Sequence, residues 1–163
     1  MAHRTRQRCF ERKRMRLEDV GYSDPGMIYF ATLCARDKGN VFLHELLARH
    51  VIDSLMWCRE SGRFRIYAYC LMPDHLHMAV SPGDPHVSLS DSIGAFKSFT
   101  TTASWKLGFN GQLWQRSWYD HIARREEDVL AICKYILENP VRKLLVESCD
   151  KWPWSGMLDP LTG

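Results

Sequence analysis

Two histidines separated by one apolar residue, His75-Leu76-His77, are the residues of this chain best placed to do chemistry. In an extended strand, side chains at i and i+2 leave on the same face. His75 and His77 are therefore expected to present two imidazoles side by side, while Leu76 and Met78 turn into the core. Neutral imidazole is a common ligand of divalent metals. Two solvated histidines on the outer face of an amphipathic strand would show the same spacing, so the spacing alone leaves both readings open. Asp74 would point away from His75 in a continuous strand and is expected to serve the turn Met72-Pro73-Asp74.

A second candidate group lies on the last long helical segment. Its apolar stripe is Val129, Ile132, Cys133, Ile136 and Leu137. At about 100° per residue, Tyr135 falls off that stripe, and Asn139, four residues on, shares its face. Asp128 lies near it. A tyrosine there is either a surface aromatic or, with the asparagine amide, part of a nucleophile-plus-ligand set. Tyr119-Asp120-His121 makes a third cluster in which Tyr119 is a rival nucleophile. Its neighbours Trp114 and Trp118 suggest a packed strand instead, and His121 is read as structural or as a substrate contact.

The elements that must position these groups follow from periodicity and punctuation. Met27 to Ala35 reads as a buried strand. Val41 to Glu60 has helical spacing, closed by Ser61-Gly62. Phe64 to Leu71 and His75 to Ser81 read as strands joined in a hairpin by Met72-Pro73-Asp74. Ser88 or Ser90 caps a helix running to about Leu107, and Leu113 to Ala123 reads as a fourth strand. Glu126 to Glu138 is a helix with acids in its first turn, as the macrodipole favours, ended by Asn139-Pro140. Trp152-Pro153-Trp154 is expected to pack back on the body. The order β-α-β-β-α-β-α predicts an α+β, ferredoxin-like split βαβ fold: an antiparallel four-stranded sheet, helices on one face and an extra C-terminal helix carrying the tyrosine.

Composition bounds the rest. A chain of 163 residues with 45% hydrophobic and 25% charged residues is one ordinary globular domain able to bury its own core. No apolar run approaches the roughly 18 residues of a membrane span, and the arginine-rich start does not read as a secretory signal. Six scattered cysteines without a Cys-x-x-Cys pair suggest reduced thiols in a cytoplasmic protein rather than a disulfide framework. The net charge of +3 hides an asymmetry: residues 1–16 carry +6 and the remainder −3. Residues 1–21 are thus set apart as a basic arm on a single domain of residues 22–163. Such an arm suits phosphate-backbone contact, or is a solvated tail.

Four segments in order carry a family resemblance: Met72-Pro73-Asp74-His75-Leu76-His77, Leu113-Trp114-Gln115-Arg116-Ser117-Trp118-Tyr119-Asp120-His121, Tyr135-Ile136-Leu137-Glu138-Asn139-Pro140-Val141 and Trp152-Pro153-Trp154-Ser155. The histidine pair resembles the His-hydrophobe-His (HUH) motif of single-strand DNA nucleases. The set resembles the REP-associated tyrosine transposases, relatives of the single-tyrosine transposases of small bacterial insertion sequences, over residues 25 to 156. The resemblance implies that His75, His77 and Asn139 ligate Mg²⁺ or Mn²⁺ and that Tyr135 is the nucleophile. It implies cleavage and rejoining of single-stranded DNA at palindromic hairpins through a 5′-phosphotyrosine link. A phenol ordinarily ionises near pH 10 and is a weak nucleophile at neutral pH, about 10 being its reference pKa, so the metal has much of the work to do. Imidazole is a borderline ligand for Mg²⁺, which favours Mn²⁺ as the activator in vitro.

Lys97, Arg116, Arg124, Arg125, Lys134, Arg142 and Lys143 are candidates for DNA phosphates, and Trp118 and Tyr119 for stacking on unpaired bases. The expected location is the bacterial cytoplasm, at the nucleoid, with no membrane partner. Relatives include monomers and domain-swapped dimers, so a homodimer is one of two assembly states left open. The rival readings are a domesticated, non-catalytic hairpin-binding protein and a metal-dependent phosphoesterase that uses water.

Overall fold

The computed structural model of the chain describes residues 22–37, 39–123 and 126–161. The basic arm, Arg124 and Arg125 lie outside the described residues. Among the described residues, five strands and three helices follow in order: β1 (Ile28–Cys34), α1 (Glu45–Glu60), β2 (Phe64–Met72), β3 (His75–Pro82), α2 (Leu89–Trp105), β4 (Tyr119–Ala123), α3 (Glu126–Arg142) and β5 (Ser155–Met157). The sheet runs β4-β1-β3-β2-β5, with every pairing antiparallel. The four strands β4-β1-β3-β2 with α1 and α2 are the split βαβ arrangement. No helix among the described residues is long and apolar enough to cross a membrane.

Alternation along the strands divides the molecule into two layers of core. Tyr29, Ala31 and Leu33 of β1, and Leu76, Met78 and Val80 of β3, pack against α1 and α2 through Leu47, Val51, Leu55, Leu89, Ile93 and Phe96. The other face, through Ala68, Cys70, Met72 and Ala79, packs on Val129, Cys133 and Ile136 of α3. Helices α1 and α2 therefore share one face, and α3 crosses the opposite one. Leu76 and Met78 are fully buried; burying a side chain of that size is worth about 1.5–3 kcal/mol. A one-residue slip of β3 would expose both and drive the histidines into the apolar core, so the register that aims the imidazoles is set by their neighbours.

Several boundaries differ from the sequence expectation, each for a local reason. The first helical segment is split: Val41–Leu43 is a separate 3₁₀ turn, and α1 starts after His44, whose ring Nδ1 accepts from Leu47 N at 3.3 Å. Ser88, rather than Ser90, caps α2, its hydroxyl accepting from Asp91 N at 3.0 Å. Met72 belongs to β2 and pairs with His75, leaving Pro73-Asp74 as a two-residue turn.

The fourth strand is only Tyr119–Ala123. Leu113 to Trp118 forms a loop touching the sheet at one bridge, Ala35 to Trp114. The buried Trp114 ring, which donates from Nε1 to Thr100 Oγ1 at 2.8 Å, pulls this stretch under α2 and away from the ladder.

Pro140 does not end α3 but sits inside its last turn. A proline there forfeits one backbone bond near an end where carbonyls are already unpartnered. The helix closes at Leu144, in the left-handed region at φ 58°, where Leu145 N donates to Pro140 O at 2.9 Å. The tail does pack back, and further than expected. It adds β5, a fifth strand beside β2, with Leu71 N donating to Trp154 O at 2.8 Å and Trp152 Nε1 donating to Leu71 O at 3.0 Å.

Candidate active site

The two histidines leave β3 on the α3 face and turn their Nε2 atoms toward each other, 2.9 Å apart. Each ring is held from behind. His75 Nδ1 lies 2.6 Å from Asp74 Oδ1, and His77 Nδ1 lies 2.9 Å from Thr32 Oγ1 on the adjacent strand. Asp74 thus corrects its sequence reading: the turn swings its carboxylate back onto His75 rather than away. Phe30 stacks on the His77 ring at 5.2 Å. Burial foremost, then the neighbouring His75 and the charge of Lys143, push the His77 imidazole down to about 3. His77 is therefore neutral at any physiological pH and carries a lone pair.

Two imidazole nitrogens facing at 2.9 Å, with both Nδ1 atoms engaged, form a donor pair in need of a shared proton or cation. With nitrogen–metal bonds of about 2.1 Å, that separation would let both Nε2 atoms hold one divalent ion. Outer partners such as Asp74 and Thr32 are the usual means of fixing the tautomer of a ligating histidine. Among the described residues, no group of three or more His, Cys, Asp or Glu could hold a metal. Cys70 lies cross-strand from His77, and burial pushes its thiol up to about 12.

Tyr135 stands beside this pair. Its ring centroid is 6.1 Å from that of His77 and 6.0 Å from that of Phe30, and the Arg142 guanidinium lies over it at 5.0 Å. Tyr135 is 39% exposed, with its face off the buried stripe of α3. Asn139 does not simply share that face. It is 3% exposed, on the buried side, and its Nδ2 donates to the Tyr135 carbonyl at 3.3 Å. Among the described residues it makes no hydrogen bond to either histidine. The side chain of Lys134 is solvated and pairs loosely with Glu138 at 3.8 Å.

The remaining candidates separate by face. Tyr119 pairs with Thr32 on β1, two strands from His77, and is exposed on the α3 side of the sheet. Trp118 turns the other way, half-buried, and packs edge-on against Tyr22 at 5.8 Å beside the α1/α2 core. Lys97 is spent on structure: burial lowers the pKa of its ammonium, which donates to the carbonyls of Gln115 and Arg116 and holds the loop before β4. Arg116 is exposed beside it. Sequence reasoning missed Thr32, for which no local signal exists because it lies 45 residues from its partner. Asp74 could have been found from adjacency and the tightness of the turn.

Comparison with known proteins places this site in a family. Residues 25–139, well over half of the chain and including both histidines, Tyr135 and Asn139, match the family model described as "Transposase IS200 like". The REP-associated tyrosine transposase of Escherichia coli is 27% identical, covering 82% of this chain and 78% of its own length. An uncharacterized protein of Haemophilus influenzae is also 27% identical, covering 80% and 88%. Among solved structures, a REP-associated tyrosine transposase bound to a REP hairpin is similar at a TM-score of 0.64 and 24% identity, covering 82% of this chain and 78% of that one. With the family model spanning β1 to β4, the histidine pair and Tyr135 of α3, the chain belongs to the IS200-like transposase family.

Proposed function

We propose that this transposase is a metal-dependent endonuclease and strand transferase that cleaves and rejoins single-stranded DNA at palindromic hairpins, with Tyr135 as nucleophile. The observation that carries the reading is the Tyr135 ring 6.1 Å from a histidine whose Nε2 faces a second imidazole at 2.9 Å. The Tyr135 phenolic oxygen attacks one phosphodiester. A phosphorus–oxygen bond forms to the tyrosine, the bond to the 3′ oxygen breaks, and the phenolic proton is lost as the departing 3′ oxygen gains one. The 5′-phosphotyrosine link stores the bond energy, so rejoining to another 3′-hydroxyl needs no ATP.

His75, His77 and the Asn139 amide oxygen would hold Mg²⁺ or Mn²⁺, whose chemistry there is to polarise the scissile phosphate. Asp74 and Thr32 keep both Nε2 atoms aimed at one point. Phe30 and Arg142 confine the Tyr135 ring, and Arg142 and Lys143 supply positive charge for the phosphate oxygens. The hairpin as substrate class is supported by the structural relative solved with a REP hairpin.

The test is a labelled single-stranded hairpin incubated with Mn²⁺ and run on a denaturing gel. A covalent protein–DNA band that disappears in Tyr135→Phe supports the proposal. Cleavage that survives in Tyr135→Phe points to hydrolysis or to Tyr119. Tight binding without cleavage identifies a non-catalytic hairpin-binding protein.

A further inference from the structure

Helices α1 and α2 bury one side against the sheet and turn the other outward, away from the histidines and α3. On α1, Leu46, His50, Asp53 and Trp57 recur at steps of four, three and four and so share the outer face. Between the two helices runs a groove of about 410 Å³, with Leu46 and His50 on one wall and Phe99, Ala103 and Leu107 on the other. The His50 and Phe99 rings lie 5.9 Å apart. Leu46 and Phe99 are each 59% exposed, and Trp57 is 55% exposed. Scattered apolar side chains are ordinary on a surface, but a contiguous patch with a polar rim marks an interaction site.

The charges on the rim select the occupant. Asp53 of α1 and Lys106 at the end of α2 both border the groove. Among the described residues, neither has an ion-pair partner. Arg49, also on the rim, is held loosely by Glu45 at 3.5 Å. A phosphate chain would meet the Asp53 carboxylate. The segment of residues 1–16, at +6, would meet Arg49 and Lys106. An apolar strip bordered by one unpaired charge of each sign is instead complementary to itself. In a two-fold contact, residue i of one copy meets j of the other and j meets i. A single Asp53–Lys106 match is then made twice around an apolar centre, the usual anatomy of an interface.

We propose that the outer α1/α2 face is the interface of a two-fold homodimer. Phe99 and Leu46 are its anchors, and Asp53 of each copy pairs with Lys106 of the other. The contact exchanges no element between copies. Because the histidine pair and α3 lie across the sheet, the dimer turns its two sites outward on opposite sides, and the interface does not depend on the chemistry proposed above.

The experiment is analytical ultracentrifugation of the full chain without DNA or metal, with circular dichroism as the folding control. Wild type should dimerise. Phe99→Glu should weaken the dimer by about 30-fold or more, as for loss of an interface anchor, and keep the covalent product on the gel. Asp53→Lys and Lys106→Asp each bring like charges together twice and should each weaken it by about 10-fold or more. Mixing those two variants restores both matches and should recover a heterodimer, an outcome specific to a two-fold pairing of these residues. A wild type that stays monomeric overturns the proposal, as does a dimer that persists in Phe99→Glu or charge variants that mixing does not rescue. A monomeric wild type whose Tm falls in Phe99→Glu overturns it in favour of residues 1–21 as the cover. Hairpin binding lost in Phe99→Glu overturns it in favour of nucleic acid.

Discussion

Thr32 offers the sharpest test of how the histidine pair is built. Its hydroxyl lies 2.9 Å from His77 Nδ1 on the adjacent strand. In Thr32→Val the shape of the side chain is kept and the oxygen is lost. His77, which is 8% exposed, would then hold an Nδ1 with no protein partner. An unsatisfied buried polar group costs about 1–3 kcal/mol, and the ring can relieve that cost by turning or by moving its proton to Nε2. Either response removes the lone pair from the point that His75 also faces.

Loss of an outer partner of this kind typically weakens metal binding by about 10- to 100-fold. Mn²⁺ titration of the free protein, followed by electron paramagnetic resonance, should show such a loss in Thr32→Val. Thr32→Ser, which restores the oxygen, should recover most of it. Thermal unfolding without metal serves as the control for folding. If Thr32→Val binds Mn²⁺ as wild type does while remaining folded, Thr32 does not orient His77 and the two-sided cradle is wrong.

Three further outcomes follow from the backbone and the tail. Leu144 is 91% exposed in the left-handed region at φ 58°, where a side chain costs about 1–2 kcal/mol relative to glycine. Leu144→Gly should therefore raise Tm by about 2–8 °C, and an unchanged or lower Tm in a calorimetric scan counts against that reading of the helix end. A Cβ on Gly83 would fall 2.0 Å from the Gly62 carbonyl oxygen, backbone against backbone, so Gly83→Ala should lower the urea midpoint markedly, whereas Gly94→Ala, with open space around it, should not. The Arg59 guanidinium bonded to Asp159 holds that carboxyl below its ordinary range. A depressed carboxylate contributes stability in full above the ordinary carboxylate pKa and loses it as pH falls through the depressed value. Asp159→Asn should accordingly be less stable than wild type at neutral pH, and the two urea-unfolding curves should converge in acid; a constant gap at all pH values would refute the linkage.

Much of the fold was legible because its signals are local. Alternation in His75-Leu76-His77-Met78 marks a strand with one buried face whatever the remainder of the chain does, and the structure buries Leu76 and Met78 fully. The order of elements was enough for the split βαβ arrangement. Elements whose limits depend on distant partners were not legible. Leu113 to Trp118 has strand-like residues, yet Trp114 is drawn to Thr100 and Lys97 ties the loop carbonyls. Ser155–Met157 is too short to announce itself and becomes a strand only because the edge of β2 has backbone groups to satisfy. Asn139-Pro140 looks like a helix stop, and the helix continues through it because the lost bond falls in the last turn.

The same division runs through the site. By itself the sequence determined that two imidazoles share a strand face and that Tyr135 lies off the apolar stripe of its helix, since both depend only on the repeat of a single element. Only the tertiary structure decided that α3 crosses the histidine face of the sheet and brings Tyr135 beside His77. It also turned Asp74 and Thr32 onto the two Nδ1 atoms, buried Asn139, and placed Tyr119 and Trp118 on opposite faces. The physical reason is one of range. Periodicity specifies direction within an element, whereas distances between groups far apart in the chain are set by which apolar faces bury one another.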